Sequence, residues 1–531
     1  MSRRPQTARV RWGAALAAAA PAAAYVLIDP PSRDLAAQLY RAQLFSREGL
    51  GLWDNGWYSG HHVLGYSVLF PAVGALLGPQ LAAALAAVAT AAVFAGLAVR
   101  HFGERAVPGV LLFAAATAID LYTGRLALAF GALPALASVA VLDRGRTVPA
   151  AALAALAALC SPVAGLFAAV GGAGYALGDR RPGGWAVALA ALTPIGLLAV
   201  VFPEGGTEPF GVATLIGLLA ICAGALAALP PQARRLRAGV GVYVAVSIAA
   251  FVIPSPLGAN VARLGALMAA PLAALIWWRR RTALLALLIV PLLYVGWQAP
   301  VADVSATAQD PSLSARYYRP LLDFLHAQAG VFRIEIPFTA SHWEAYWVAG
   351  VGRVPLARGW ERQLDIGENP LFYRGGLTAA AYARWLHASA VRYVAVPDVA
   401  LDPSARAEAA LIKRRPGFLA PVMRSAHWQV YAVADPTPIA SGVASLRSLG
   451  PDRLSLDAGR PGSTLLHIHF TPFWALTRGR GCVLPAGNDT RVVTAAGPLT
   501  LSIRFSPGRI GARSARCTPG ATERGITAGG Q

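Results

Sequence analysis

The chain has 531 residues, 56% of them hydrophobic, and 46 Lys and Arg against 26 Asp and Glu, for a formal charge of +20. Only Lys413 among the basic residues is not Arg, Ala and Gly are abundant, and the charge is dispersed through short loops; this looks like coding bias, and nucleic-acid binding is set aside. There is no Gly-Lys-Ser/Thr phosphate loop, no HExxH and no CxxC, which argues against ATP-driven transport by this chain alone.

The apolar residues crowd into 13–297, and the rest has ordinary globular composition. That break predicts a polytopic α-helical membrane protein of about 11 transmembrane helices, carrying an extracytoplasmic α/β domain and a C-terminal β-sandwich. Residues 1–12 hold four Arg ahead of the apolar run Trp12–Ile28. The run reads either as a signal peptide with a small-residue cleavage site near Ala22–Ala24 or as a retained first span. Both put Asp34 on the far side of the membrane; retention is favoured, because a helix ending there fixes the depth of the carboxylate.

A long outer loop, 30–79, follows. On a helix over Asp34–Phe45, Asp34, Gln38 and Arg41 share one face, and Leu35, Leu39 and Ala42 lie on the neighbouring one. Trp53, Trp57 and Tyr58 are types that favour the headgroup layer. The run 63–78, with Pro71, reads as a re-entrant or interfacial helix. Further apolar runs follow at 80–99, 107–119, 126–141, 148–160, 163–177, 184–201, 210–229, 239–253, 261–278 and 282–297. Several are short for a perpendicular span, which needs about 20 residues. Alternate loops are rich in Arg (Arg100–Arg105, Asp143–Arg146, Asp179–Arg181, Arg234–Arg237, Arg279–Arg281), and the opposite ones are poor in it. Positive-inside weighting then predicts a cytoplasmic N-terminus and an outer C-terminal domain. Counting 63–78 as a span would invert every later loop, so that count is rejected.

Residues 1–297 form the membrane domain in this reading, and 298–437 the α/β domain: a helix near Leu313–Gln328, strands at Phe332–Ile336, Val391–Val396 and Trp428–Val433, and a helix at Ala379–His387. Alternating runs such as Leu465–Phe470 and Leu499–Phe505 place the sandwich at 438–518. The Gly-rich tail 519–531 is expected to be disordered.

Asp34 is the leading candidate for chemistry. A carboxylate at the membrane boundary suits a general base or a cation ligand, while an Asp opening a helix equally suits an N-cap. Asp120 and Arg125 bracket the second outer loop, DLYTGR, as an interfacial pair or as substrate-binding groups facing Asp34. Asn260 and Arg263 open the run 261–278. An Arg inside the hydrocarbon edge costs up to ~3 kcal/mol unless paired or hydrated; Arg263 therefore either snorkels or binds a phosphate through forked hydrogen bonds. His61 and His62 are adjacent and diverge on a regular element, so a shared metal is not expected. HWEAYW and RGWER, containing Trp343 and Trp360, either stack on a glycan or pack the outer domain onto the membrane half. Cys160 and Cys222 read as buried apolar residues; Cys482 and Cys517 form a disulfide or remain two free thiols. The centres of the spans hold almost no ionisable groups, which counts against ion-coupled transport. The Gly run Gly171–Gly178 reads as small-residue helix packing.

The first span followed by Asp34, the aromatic WDNGWYSG turn, the run with Pro71, the Asn260/Arg263 pair and the large outer domain together resemble the GT-C superfamily of membrane glycosyltransferases. Within it, HWEAYW…LARGWERQLDIGENPLFY is similar to the actinobacterial membrane proteins called 6-pyruvoyl-tetrahydropterin synthase-related. The resemblance implies a GT-C-like fold in the cell membrane and inverting sugar transfer from a polyprenyl-phosphate donor to an envelope glycan or lipid acceptor at the outer face. Asp34 would be the base, Arg263 with Asn260 would hold the departing phosphate, and Asp120 and Arg125 would orient donor or acceptor. The first loop has a lone Asp34 beside Arg33 in place of a paired-acid motif, so a divalent cation stays open. A non-catalytic scaffold and a transporter or flippase are the alternatives.

Overall fold

The computed structural model describes residues 3–521. Of the tail expected to be disordered, 522–531 lie outside the described residues. The chain divides into two compact units: 1–49, 65–199 and 205–309 in the first, and 50–64, 200–204 and 310–531 in the second.

The first unit is helical. Its elements are α1 (Arg3–Ile28), α2 (Leu35–Glu48), α3 (Phe70–Leu77), α4 (Pro79–Phe102), α5 (Val107–Ala116), the single turn α6 (Ile119–Tyr122), α7 (Leu126–Asp143), α8 (Thr147–Cys160), α9 (Pro162–Asp179), α10 (Pro182–Val201), α11 (Val212–Ala228), α12 (Arg234–Val252), α13 (Ala262–Trp277) and α14 (Thr282–Thr307). Each of the expected apolar runs is helical. Seven helical stretches among the described residues are long and apolar enough to cross a membrane, and α8 and α11 are shorter apolar helices. Leu189, Leu197, Ile216, Leu287 and Val290 are exposed on them, an outer surface suited to lipid and not to water. The chain is a multi-pass helical membrane protein. The run 63–78 is helical only over the 8 residues of α3, which at about 1.5 Å per residue is too short to span.

Small residues let these helices approach. Ala18, Ala91 and Ala114 form one buried cluster of α1, α4 and α5, and Ala14, Ala95 and Ala98 join a second. The Gly171–Gly178 run does the same for α9: a Cβ on Gly172 would stand 2.7 Å from the Gly184 carbonyl of α10, and one on Gly174 would stand 3.0 Å from Gly239 of α12. Four of the five Arg-rich turns meet around Asp143 and Asp179. There the buried carboxylate of Asp143 pairs with Arg100 (2.8 Å) and accepts from His101 (3.0 Å), Arg235 (2.7 Å) and the Tyr175 hydroxyl (3.0 Å), tying together the ends of α4, α7, α9 and α12.

The second unit opens with a small hairpin, β1 (Trp53–Asp54) and β2 (His61–His62), taken from the first loop. Its α/β part has the sheet order β3-β4-β6-β5, with β3 (Arg333–Glu335), β4 (Val391–Pro397), β5 (Leu419–Arg424) and β6 (Trp428–Val433). Helices α15 (Ala315–His326), α16 (Arg362–Glu368), α17 (Ala379–Ala388) and α18 (Arg406–Lys413) accompany it. Strand β5 and helices α16 and α18 were not anticipated. The remainder is two antiparallel sheets. One has the order β15-β12-β13-β10-β7, with β7 (Ala440–Gly442), β10 (Gly462–His469), β12 (Gly481–Ala486), β13 (Asp489–Thr494) and β15 (Arg516–Cys517). The other has the order β11-β14-β9-β8, with β8 (Ala444–Leu449), β9 (Arg453–Ala458), β11 (Trp474–Arg478) and β14 (Gly497–Ile503). Leu454, Leu456 and Ala458 on β9 and Leu466 and Ile468 on β10 are buried at alternate positions, as period-two strands require of a core face. Cys482 and Cys517 face each other on β12 and β15 and form a disulfide.

Two boundaries depart from the sequence expectation. Helix α14 continues past 297 to Thr307, and the aromatic turn WDNGWYSG belongs to the second unit. Trp53, Trp57 and Tyr58 are buried and not headgroup anchors. The Tyr58 hydroxyl donates to the Gly359 carbonyl (2.5 Å), the Leu356 N–H donates to the Gly56 carbonyl (2.9 Å), and the Asn55 amide donates to the Gly450 carbonyl (2.9 Å). These bonds tie the turn to residues 356–359 and 450 of the same unit.

Candidate functional site

The turn from Asp29 to Asp34, between α1 and α2, is clamped from several directions within the first unit. At the end of α14, the Thr307 hydroxyl donates to the Pro31 carbonyl (3.0 Å), and one turn earlier Asp303 pairs with Arg33 at 3.5 Å. From the start of α4, Gln80 donates to the Asp29 carboxylate at 3.0 Å. The DLYTGR turn presses on it as well. Gly124 has φ +74°, and a Cβ there would collide with the Ser32 hydroxyl and the Leu35 backbone. Only glycine satisfies both the left-handed conformation and the close approach.

That approach delivers Arg125, whose Nε donates to Asp34 Oδ2 at 3.3 Å; the two side chains are 24% and 30% exposed. Asp34 occupies the N-cap position of α2 but makes no side-chain cap bond, its own backbone being already helical (φ −77°, ψ −14°). The capping reading is thereby replaced by an ion pair. Asp120 is buried, its carbonyl accepts the Arg125 N–H (2.8 Å), and its carboxylate interacts with Arg125, Arg263 and Asp34. Arg263, half-buried at the start of α13, feels Asp34, Asp120 and the repulsion of Arg125. Among the described residues it makes no hydrogen bond or ion pair. Gln38 is buried and donates to the Tyr66 hydroxyl at 2.6 Å, and the Arg41 guanidinium lies 3.9 Å from the centre of the Tyr66 ring.

The structure therefore brings together Asp34, Asp120, Arg125 and Arg263, with Gln38 and Arg41 joined through Tyr66. It does not bring in Asn260, whose amide donates to the Pro256 carbonyl (3.2 Å) and so braces the turn ahead of Arg263. Sequence reasoning missed Tyr66 and Asp303. Asp303 was hidden because the last apolar run ends at 297, which assigned its acid to the outer domain; Tyr66 lies inside the run 63–78, where nothing set its hydroxyl apart from the surrounding apolar residues. Among the described residues no group of three or more His, Cys, Asp or Glu is arranged to hold a metal ion, and Asp34 is already engaged by Arg125.

In the second unit the two aromatic motifs fold inward. Trp343 is buried and presents no face for stacking. Trp360 is half-buried, with its ring stacked on His342 at 3.6 Å. His342 has φ +57° and is bonded to Asp402 (3.3 Å), which also takes Arg362 (2.6 Å). Burial works against the Asp402 charge, yet the contacts with His342 and Arg362 hold its carboxyl below the usual carboxylate range. Burial pushes Glu344 up to about 8, against the hydrogen bonds it accepts from Thr339. Arg358 is sealed. It forks onto Asp365 (Nη2 at 2.7 Å, Nε at 3.2 Å), reaches Glu408 (3.4 Å) and Glu335 (3.7 Å), and lies between the rings of Phe338 and Phe372. His61 stacks on Trp57 while His62 bonds the Leu52 carbonyl, so the adjacent histidines do diverge.

No family model matches the chain, and no curated protein matches it at a significant level. Among solved structures, the chain is similar to ArnT from Cupriavidus metallidurans in the apo state, at 15% identity over 82% of this chain and 100% of that one. The TM-score is 0.40, too low for this likeness to bear on the site.

Proposed function

We propose that this chain is an inverting membrane glycosyltransferase of the GT-C kind, taking a sugar from a polyprenyl-phosphate donor to an envelope glycan or lipid acceptor at the outer face of the cell membrane. The observation that carries the reading is the convergence of one acid, Asp34, with two guanidinium groups, Arg125 and Arg263, at the end of α1. An acid beside two cations is what displacement at a sugar phosphate needs. Asp34 accepts the proton of the acceptor hydroxyl as that oxygen bonds to the anomeric carbon. The carbon–oxygen bond to phosphate breaks, its electron pair leaves with the phosphate, and Arg263 and Arg125 hold the polyprenyl phosphate released. Asp120 keeps Arg125 oriented. Asn260 acts at a distance, by fixing the turn before Arg263. The outer unit would select the acceptor. Kinship with the 6-pyruvoyl-tetrahydropterin synthase-related membrane proteins, and a cytoplasmic N-terminus, belong to the same proposal; the meeting of four Arg-rich turns around Asp143 and Asp179 supports that orientation.

General-base assistance contributes typically about 10²–10⁴-fold. The Asp34→Asn variant should therefore lose transfer by about that factor while expressing and folding normally, as read by lipid-linked sugar and envelope-glycan profiles of a deletion strain carrying it. Full complementation by Asp34→Asn would remove the base role. It would favour a second reading, a non-catalytic scaffold, which the pairing of Asp34 with Arg125 also suits.

A further inference from the structure

Strand β14 runs out into the segment 504–516, which carries Arg504, Arg509, Arg513 and Arg516; residues 490–521 hold no Asp or Glu. Among the described residues none of these four guanidinium groups is paired with a carboxylate. Arg509 donates to the Ser514 carbonyl (2.6 Å), and Arg516 donates to the carbonyls of Phe473 (3.2 Å) and Arg504 (3.0 Å). The side chains of Arg504 and Arg513 stand exposed. The segment is crowded with like charge: burial and the neighbouring Arg509 both lower the Arg516 pKa.

A basic stretch is ordinarily a solvated face, but this one has an apolar centre with a fixed place. Phe505 is 48% exposed, and its ring packs on Phe473 (centroids 5.2 Å apart) and Phe202 (5.9 Å). Phe202 and Phe473 touch each other (5.7 Å), and both lie against His62. Phe202 follows Val201, the last residue of α10, which is apolar and long enough to cross a membrane. Leu197 and Val200 in the last turn of α10 are exposed, so that turn suits lipid and not water. Consecutive Cα atoms are about 3.8 Å apart. Covalent geometry therefore places Phe202, and the rings packed on it, at the bilayer surface.

We propose that the segment 504–516 docks on the membrane: Phe505 rests in the headgroup layer, and Arg504 and Arg513 bind the phosphates of anionic lipids in the leaflet at which α10 ends. A half-exposed ring buries apolar area at that depth while guanidinium groups beside it stay with the headgroups. Arg suits this role because its planar fork matches a phosphate. With no carboxylate in the segment, nothing in it repels an anionic surface, and each Arg brought close strengthens binding by about fivefold. The docked segment holds the sandwich to the leaflet at a point beyond the covalent link at Phe202.

The test is hydrogen–deuterium exchange of the full-length protein in two kinds of nanodisc, phosphatidylcholine alone and phosphatidylcholine mixed equally with phosphatidylglycerol. Exchange over 505–515 should be slower by about fivefold or more in the anionic discs, with β9 unchanged, and raised salt should shrink the difference. Arg504→Gln combined with Arg513→Gln should abolish the difference while leaving the melting temperature unchanged, since both side chains are exposed. Equal exchange of the unaltered protein in the two discs overturns the proposal, and so does a difference that survives in the double variant. Slowing produced by soluble polyglutamate in phosphatidylcholine discs, with none from phosphatidylglycerol, also overturns it and assigns the surface to an acidic polymer.

Discussion

Arg358 and Arg125 each interact with three carboxylates, but Arg358 is fully buried and Arg125 is 24% exposed. Around Arg358 the charges are closed off. Two aromatic rings cover the guanidinium, Tyr373 and Asn369 complete the bonding of Asp365, and Tyr382 completes that of Glu408. Burial raises the pKa of Glu335 well above the ordinary value, with the adjacent Glu408 adding to it, and burial moves Glu408 to about 7. Around Arg125 the pairs are long and partly wet. A closed network specifies a fold, because every exchange of partner would strand a charge in low dielectric. An open one can trade a protein partner for a ligand, and that is the physical requirement of a site. Residue type alone does not separate the two cases; degree of closure does.

The comparison predicts its own failures, beginning with the most severe. Arg358→Met should remove the outer unit's fold, because breaking a buried network by deleting one partner costs about 3–5 kcal/mol and here strands several acids. Asp34→Asn, by contrast, should change stability by no more than about 1 kcal/mol, as partly exposed pairs do. Equal losses of melting temperature in the two variants would erase the distinction. Reduction of Cys482–Cys517, which closes a sequence separation of 35 residues, should destabilise the outer unit by about 3–4 kcal/mol in the chain-entropy picture.

Gly124→Ala should cost more than the roughly 1–3 kcal/mol of backbone strain, because it also drives the DLYTGR turn off Ser32 and Leu35. Gly375→Ala is the control, with the same φ of +74° and open space around it. If the two variants unfold alike and Gly124→Ala keeps full transfer, the Arg125 placement is not built by that contact. The smallest effect is a pH slope. Glu344 is raised from its ordinary 4.5 to about 8, so the native state binds its proton more tightly than the unfolded chain. Its contribution is complete below pH 4.5 and is lost as pH rises through about 8. Burial lowers the His342 pKa from 6.5, which opposes this slope in acid; between pH 6.5 and 8 Glu335 and Glu408, which burial also raises, add to the fall, and Glu344 is separated from them by its own substitution. Melting temperature should fall with rising pH there, and Glu344→Gln should flatten the fall. An unchanged slope in that variant would assign it elsewhere.

Helix positions were legible in the residues themselves, because long apolar runs of small side chains have no other way to satisfy their backbone in lipid. The alternating strands of the C-terminal region were legible too, since a buried face imposes a period of two. The importance of Asp34 could be argued from its place after an apolar run. Arg125 was expected to face Asp34, but their direct pairing could not be read, because the two are 91 residues apart and meet only through a Gly124 turn whose fit to Ser32 no local pattern encodes. Nor could the inward fate of Trp343, Arg358 and the WDNGWYSG turn be read from composition. Aromatic and charged residues stand on a surface or close a core with equal local propensity, and which of the two occurs is decided by what the rest of the chain brings against them.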